Sequence, residues 1–257
     1  MRKKFQSITS KGAYLIAIVA LLLIWQGLCT FQIVPSFMLP SPVRVGQAFV
    51  EDFSLLMMHT KVTLAEAFVG LFFGVVVGFI MAVLMDWNET IYKACYPILI
   101  ITQTIPTVAI APLLVLWLGY EMAPKVVLII IVTFFPIAIG VLDGFRSVDS
   151  DAVNLLRSMG ANKWQIFVHL KSKSSLGSFF SSLKISVSYS IVGAVISEWL
   201  GGFNGLGVYM TRVKKSFAYD KMFAVIFLIS LLSIVLMAVV KVLRMKCMPW
   251  ERKQLES

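Results

Sequence analysis

The chain has 257 residues, of which 59% are hydrophobic and 14% charged, with a mean hydropathy of +0.88 and a formal net charge of +10. That composition excludes a soluble domain of this size. The positive charge calls for no nucleic acid, because it tracks the ends of apolar spans, where anionic lipid is the nearest partner. Six stretches are long and apolar enough to cross a hydrocarbon layer that takes about 20 helical residues: 13–33, 63–85, 97–118, 125–143, 178–200 and 222–241. An all-α integral membrane protein with six transmembrane helices is expected, as one domain over 1–257. The first stretch follows Arg2, Lys3 and Lys4, yet its apolar part is longer than a signal core and lacks a small-x-small cleavage site, so a retained helix is expected. With both termini in the cytosol, fifteen of the 23 Lys and Arg fall inside, among them Arg2, Lys3, Lys4, Lys11, Arg146, Arg157, Lys163, Lys171, Lys173, Arg252 and Lys253. Seven, including Lys61, Lys125, Arg212 and Lys215, fall outside, and Lys184 lies within a span. This asymmetry favours the inside orientation.

Taken in order, the second span carries Gly70, Gly74, Gly78 and Ala82 at intervals of four. In lipid such a stripe lets two helix backbones approach closely and gain dispersion contacts, so it reads as helix packing. The third span contains Pro97, Pro106 and Pro112, with Gln103, Thr104 and Thr107 between them. Proline frees a carbonyl and bends the helix, and buried amide and hydroxyl groups need partners. Either this helix lines a translocation path or its threonines bond back to the chain. Pro136 is expected to kink the fourth span.

On the fifth span Ser178, Ser182, Ser186, Tyr189, Gly193 and Ser197 recur every three or four residues, which confines them to about one third of the circumference. The stripe faces either the path or a twin subunit. Lys184, on another side, is expected to reach the cytosolic headgroups, and Glu198, at the outer end, to contact cargo or act in a gate. Path candidates are thus Gln103, Thr104, Thr107, Ser186, Tyr189 and Glu198. The two histidines, His59 and His169, read as ordinary polar loop residues. Cys29, Cys95 and Cys247 suggest neither a disulfide frame nor a metal site. No phosphate-binding glycine loop, HExxH or GxSxG occurs, so no catalytic residue, metal or cofactor is expected in this chain, and any ATP must be hydrolysed by another.

Between the fourth and fifth spans, residues 148–177 form a basic amphipathic loop: Asp151, Asn154, Leu155, Leu156 and Arg157, then Gly160 and Ala161, then Trp164, Gln165 and Phe167. A helix ending at Gly160 and turning sharply needs a residue free to take positive φ. The loop resembles the "EAA" loop of binding-protein-dependent ABC importer permeases, with Asn154 where that family usually has Glu, Leu155 and Leu156 in place of two alanines, and Ser172-Lys173 where Leu-Pro is usual. Phe37-Met38-Leu39-Pro40-Ser41-Pro42 and the glycine-rich Trp199-Leu200-Gly201-Gly202-Phe203-Asn204-Gly205-Leu206-Gly207 segment, on physical grounds an external interfacial turn, resemble outer loops of the same permeases. The pattern is similar to the nitrate, sulfonate and taurine branch, and within it to permeases for thiamine pyrimidine precursors of the hydroxymethylpyrimidine type.

That resemblance implies a type I importer fold working as a homodimer in a bacterial inner membrane, with a cytosolic coupling helix between helices 4 and 5. It implies two copies of an ABC ATPase that holds ATP and Mg, and an extracellular or periplasmic substrate-binding protein. Asp151, Asn154, Leu155, Arg157, Gly160, Ala161, Trp164 and Gln165 would dock onto the ATPase. Sulfonate or taurine, nitrate and riboflavin are the alternative cargoes. An integral membrane enzyme or a secondary transporter are the alternatives of another class, against which stand the missing catalytic cluster and the missing internal repeat.

Overall fold

A computed structural model describes residues 2–35 and 38–250, with side chains from residue 16 onward. Phe37, Arg252 and Lys253, and the side chains of Arg2, Lys3, Lys4 and Lys11, lie outside the described residues. Helix follows helix in the order α1 (Arg2–Thr30), α2 (Pro42–Glu51), α3 (Phe53–Trp87), α4 (Glu89–Thr102), α5 (Thr107–Leu118) and α6 (Met122–Arg146). After these come α7 (Ser150–Ser158), α8 (Lys163–Ile166), a π-helical turn (Phe167–Lys171), α9 (Ser172–Ser174), α10 (Leu176–Gly201), α11 (Leu206–Lys215) and α12 (Tyr219–Cys247). No strand occurs among the described residues.

By length and apolar character α3, α6, α10 and α12 can each cross a membrane, and α4 with α5 make a fifth span if taken together. The described part of α1 is apolar over Ile16–Thr30. The third expected span is corrected here. It is not one bent helix over 97–118 but two helices meeting at 99°. The break falls at Gln103–Pro106, where proline cannot supply an amide and biases Ile105 away from helix. Pro97 and Pro112 are accommodated inside α4 and α5.

The chain forms two compact units, one of Met1–Met57 with Tyr209–Leu228, the other of Met58–Val208 with Ile229–Ser257. In the first, the Trp25 indole stacks on Phe227 with ring centroids 5.7 Å apart and donates from Nε1 to the Pro40 carbonyl at 3.1 Å. Ser41 caps α2 by accepting from the Arg44 amide, with Pro42 in the first turn, where its missing N–H costs nothing. Asp52 receives Lys221 Nζ at 2.8 Å and the Tyr209 hydroxyl. Burial raises the Asp52 carboxyl, but the hydrogen bonds from Lys221 and Tyr209 outweigh it and leave it below its usual 3.8. Burial and the same carboxylate raise the Tyr209 hydroxyl.

A depressed carboxyl stabilises the folded state above its unfolded pKa and ceases to do so as pH falls through the folded value. Asp52→Asn is therefore expected to lower thermal stability at pH 7, with the difference from wild type shrinking as pH drops below about 4. Unfolding scans of the purified protein across that range check this; a difference that does not change with pH would assign the loss to shape alone.

The second unit is built on close approach. The core joins Ala82 and Met85 of α3, Leu99 of α4, Ile137, Ala138, Val141, Leu142 and Phe145 of α6, and Phe167. Gly70, Gly74 and Gly78 face α6: a Cβ at Gly74 would stand 2.0 Å from Thr133 Oγ1, and one at Gly78 2.6 Å from the Phe134 carbonyl. The large side chains Phe72, Phe73 and Ile80 of α3 point outward and are exposed. Small residues inward and bulky apolar ones outward is the arrangement of a helix that packs in lipid.

Between α6 and α10 the same device recurs. A Cβ on Gly140 would strike Ser182 Oγ, and one on Gly144 would lie 2.8 Å from the Ser175 Cβ. Ser186 donates to the Thr133 carbonyl at 2.9 Å. Much of the small and polar stripe of α10 is thus turned into the subunit: Ser182, Ser186, Gly193 and Ser197 are buried, with Ser182 and Gly193 meeting α6. Tyr189, half exposed, and Ser178, partly exposed, depart from this burial.

Candidate functional site

Three sites stand out in the second unit. The first is the hook after α6. Asp149 starts α7 by accepting from the Asp151 amide at 2.9 Å, and the helix ends at Gly160, whose φ of +84° is the left-handed conformation expected of it. Asn162 and Gln165 then form a reciprocal capping box that starts α8. Asp151, Asn154, Leu155, Arg157, Gly160, Trp164 and Gln165 are exposed and Ala161 is half-buried. Leu155, Met159 and Trp164 are 63%, 74% and 59% exposed, a concentration of uncovered apolar surface on an otherwise polar hook.

The hook is tied to the helices behind it. Trp164 stacks on Phe167 at 5.9 Å, and both rings meet Trp87 edge-on at the end of α3. Phe167 also packs on Phe145 of α6 at 5.2 Å. Lys171 Nζ reaches both Asp86 oxygens at 2.7 and 2.8 Å. Rings and an ion pair thus join the hook to α3 and α6. His169, on the π turn, is exposed, as the sequence suggested.

The second site is a cavity of about 620 Å³ at the α4–α5 break, walled by α4, α5, α6 and α10. It collects three of the six path candidates, Gln103, Thr107 and Tyr189, with Thr102, Phe134 and Phe135. The other three lie elsewhere. Thr104 bonds back to the Ile101 carbonyl at 2.7 Å, Ser186 is buried against Thr133, and Glu198 is buried in the third site.

That third site is a network of buried polar groups. Glu198 Oε1 accepts from Thr63 at 2.7 Å and its Oε2 from the Gly207 amide at 2.6 Å. The Leu206 amide donates to Thr63 Oγ1, and the Gly205 amide to His59 Nδ1 at 3.0 Å. Three amides at the start of α11, which an α-helix cannot satisfy internally, are thus capped by side chains from α3 and α10. Gly205, at φ +120°, is the only residue type that fits, since a Cβ there would stand 2.1 Å from Glu198 Oε1. Beside it Lys125 Nζ bonds Glu66 Oε1 at 2.6 Å, the two residues 5% and 3% exposed.

Two expectations change here. His59 is not a loop histidine but fully buried in α3. Lys125, expected in an outer loop, is a buried cation paired across to α3. Glu66 escaped the sequence reading altogether. Its signal was a lone carboxylate in the flank of an apolar span, which demands a partner.

Comparison with known proteins agrees with this architecture. Residues 74–246 match a family described as the binding-protein-dependent transport system inner membrane component. The formylaminopyrimidine transport permease protein ThiX of Halalkalibacterium halodurans is 36% identical over 99% of this chain and 100% of its own length. The riboflavin transport system permease protein RibX of Chloroflexus aurantiacus is 29% identical over 92% of this chain and 89% of its own. Among solved structures, a bacterial ABC transporter involved in import of the acidic polysaccharide alginate superposes with a TM-score of 0.64 over 95% of this chain and 99% of its own, at 16% identity.

Proposed function

The chain belongs to the family of binding-protein-dependent inner-membrane transport permeases, and from that premise we propose that it carries a thiamine pyrimidine precursor across the membrane. The observation that supports this cargo is the end-to-end similarity to a formylaminopyrimidine permease. ATP and Mg are held by two copies of a separate ATPase on the cytosolic side, and an external binding protein delivers the cargo to a homodimer of this chain, both termini of which are cytoplasmic.

In this reading ATP binding closes the ATPase pair, the hooks follow, and the helices rock to expose the path outward. The hook must make different contacts in the two ATPase states, since a partner that binds both equally shifts nothing. Leu155, Arg157 and Trp164 supply exposed apolar and cationic contacts for a cleft, and Asp151, Asn154, Ala161 and Gln165 surround them. Behind them the Trp87, Trp164 and Phe167 rings and the Lys171–Asp86 pair carry the movement inward.

Gly160 provides a sharp test of the docking role. A Cβ there meets nothing within 4 Å, so Gly160→Ala is penalised chiefly by its left-handed backbone, by about 1–2 kcal/mol. The variant is expected to reach the membrane in normal amounts while co-purifying less ATPase and transporting less. Wild-type ATPase recovery and uptake would remove the hook from the docking surface.

The cargo is tested by uptake of labelled hydroxymethylpyrimidine into cells expressing this chain with its ATPase and binding protein, against cells whose ATPase cannot hydrolyse. Accumulation that needs hydrolysis and is not competed by taurine supports the reading. Accumulation of taurine or another sulfonate alone keeps the importer and replaces the cargo.

A further inference from the structure

The cavity at the α4–α5 break has no Asp, Glu, Lys, Arg or His among the described residues that line it. The buried charges nearby in sequence, Lys125 and Glu198, are committed elsewhere, Lys125 to Glu66 and Glu198 to Thr63 and the Gly207 amide. The cavity is lined by neutral residues: Gln103, Thr107 and Tyr189, with the aromatic Phe134 and Phe135. An anion entering this wall sheds water and meets no counter-charge, which is strongly unfavourable. A neutral ring loses little, gains apolar and aromatic contact, and finds in Gln103 both an acceptor and two donors. An amino-substituted heteroaromatic edge, which pairs a ring nitrogen with an exocyclic N–H, complements that amide.

We infer that the permease itself discriminates among cargoes, and that this cavity is a transit site for an uncharged planar heteroaromatic amine that disfavours sulfonates and nitrate. The inference rests on the importer reading above and adds selectivity to a component whose partner is the external binding protein. Its volume falls within the range of about 300–1,000 Å³ usual for small-molecule sites, so a single ring enters with water. The half-exposed Tyr189 and the exposed Gln103 contribute contacts to this space rather than to the core.

The test measures uptake of labelled hydroxymethylpyrimidine by the complete transporter carrying wild-type chain, Tyr189→Ala, Tyr189→Phe or Gln103→Leu, each checked for recovery of the assembled permease–ATPase complex. Tyr189→Ala and Gln103→Leu are expected to lower uptake at least tenfold at normal complex recovery, and Tyr189→Phe, which keeps the ring, to lower it less than threefold. Wild-type uptake in both of the first two variants overturns the transit site and leaves the importer and its cargo standing. A wild-type transporter that accumulates taurine and excludes the pyrimidine overturns the cargo reading, and this inference with it.

Discussion

Gly74→Leu is expected to abolish assembled protein in the membrane. The added Cβ alone would stand 2.0 Å from Thr133 Oγ1 and 3.3 Å from the Phe134 amide nitrogen. Thr133 cannot step aside freely, because its hydroxyl donates to the Ile129 carbonyl at 2.7 Å and it is fully buried. The two helices must separate, and with them Gly70 against Ile129 and Gly78 against the Phe134 carbonyl lose contact. Overpacking of a rigid core costs about 1–3 kcal/mol where the site can adjust, and more where backbone blocks it. Membrane-fraction yield and detergent gel filtration decide the matter. Gly74→Ala places the same Cβ with nothing beyond it and should retain partial assembly. Normal yield and uptake for the leucine variant would mean that α3 and α6 do not meet along this stripe.

Lys125→Met is the second large effect. Removing the cation leaves Glu66 as an uncompensated buried carboxylate, a situation that typically costs about 3–5 kcal/mol. Replacing both partners by apolar residues of similar volume, Lys125→Met with Glu66→Leu, removes the desolvation penalty together with the attraction and is expected to recover most of the lost stability. Thermal unfolding of the single and double variants in detergent, read as a double-mutant cycle, measures the coupling. Equal losses for the double and the single variant would show that the pair matters through shape and not through charge.

Local patterns proved readable in the sequence. The glycine stripe of α3 and the left-handed Gly160 each follow from spacing within a few residues, and each sits where that spacing put it. What escaped depends on partners far apart in the chain. Lys125 looked like an outer-loop charge because it begins an apolar stretch; its carboxylate lies 59 positions away. His59 looked polar and solvated for the same reason, since the Gly205 amide that it accepts is 146 positions distant. The α10 stripe was correctly periodic, but periodicity tells that a face is special and not which neighbour covers it. At 97–118, three prolines announced a disturbance without saying which would merely bend the helix and which would end it. Of the path candidates, Gln103, Thr107 and Tyr189 share one cavity because the break folds α4 and α5 around it, a geometry that no linear pattern encodes.

The π turn sets a different kind of constraint. There the Ser172 amide reaches the Phe167 carbonyl five residues back instead of four, so the segment holds one residue more than an α-helix of the same length along its axis. Deleting that residue would let the ordinary ladder close without a broken hydrogen bond. Because the turn takes up the extra residue locally, such a deletion would leave Ser182 and Ser186 against α6, Tyr189 at the cavity and Glu198 at the start of α11. The turn is therefore a stretch where a residue can be lost without rotating α10: one residue removed within α10 itself would turn everything beyond it by about 100° and rotate an entire wall of the protein.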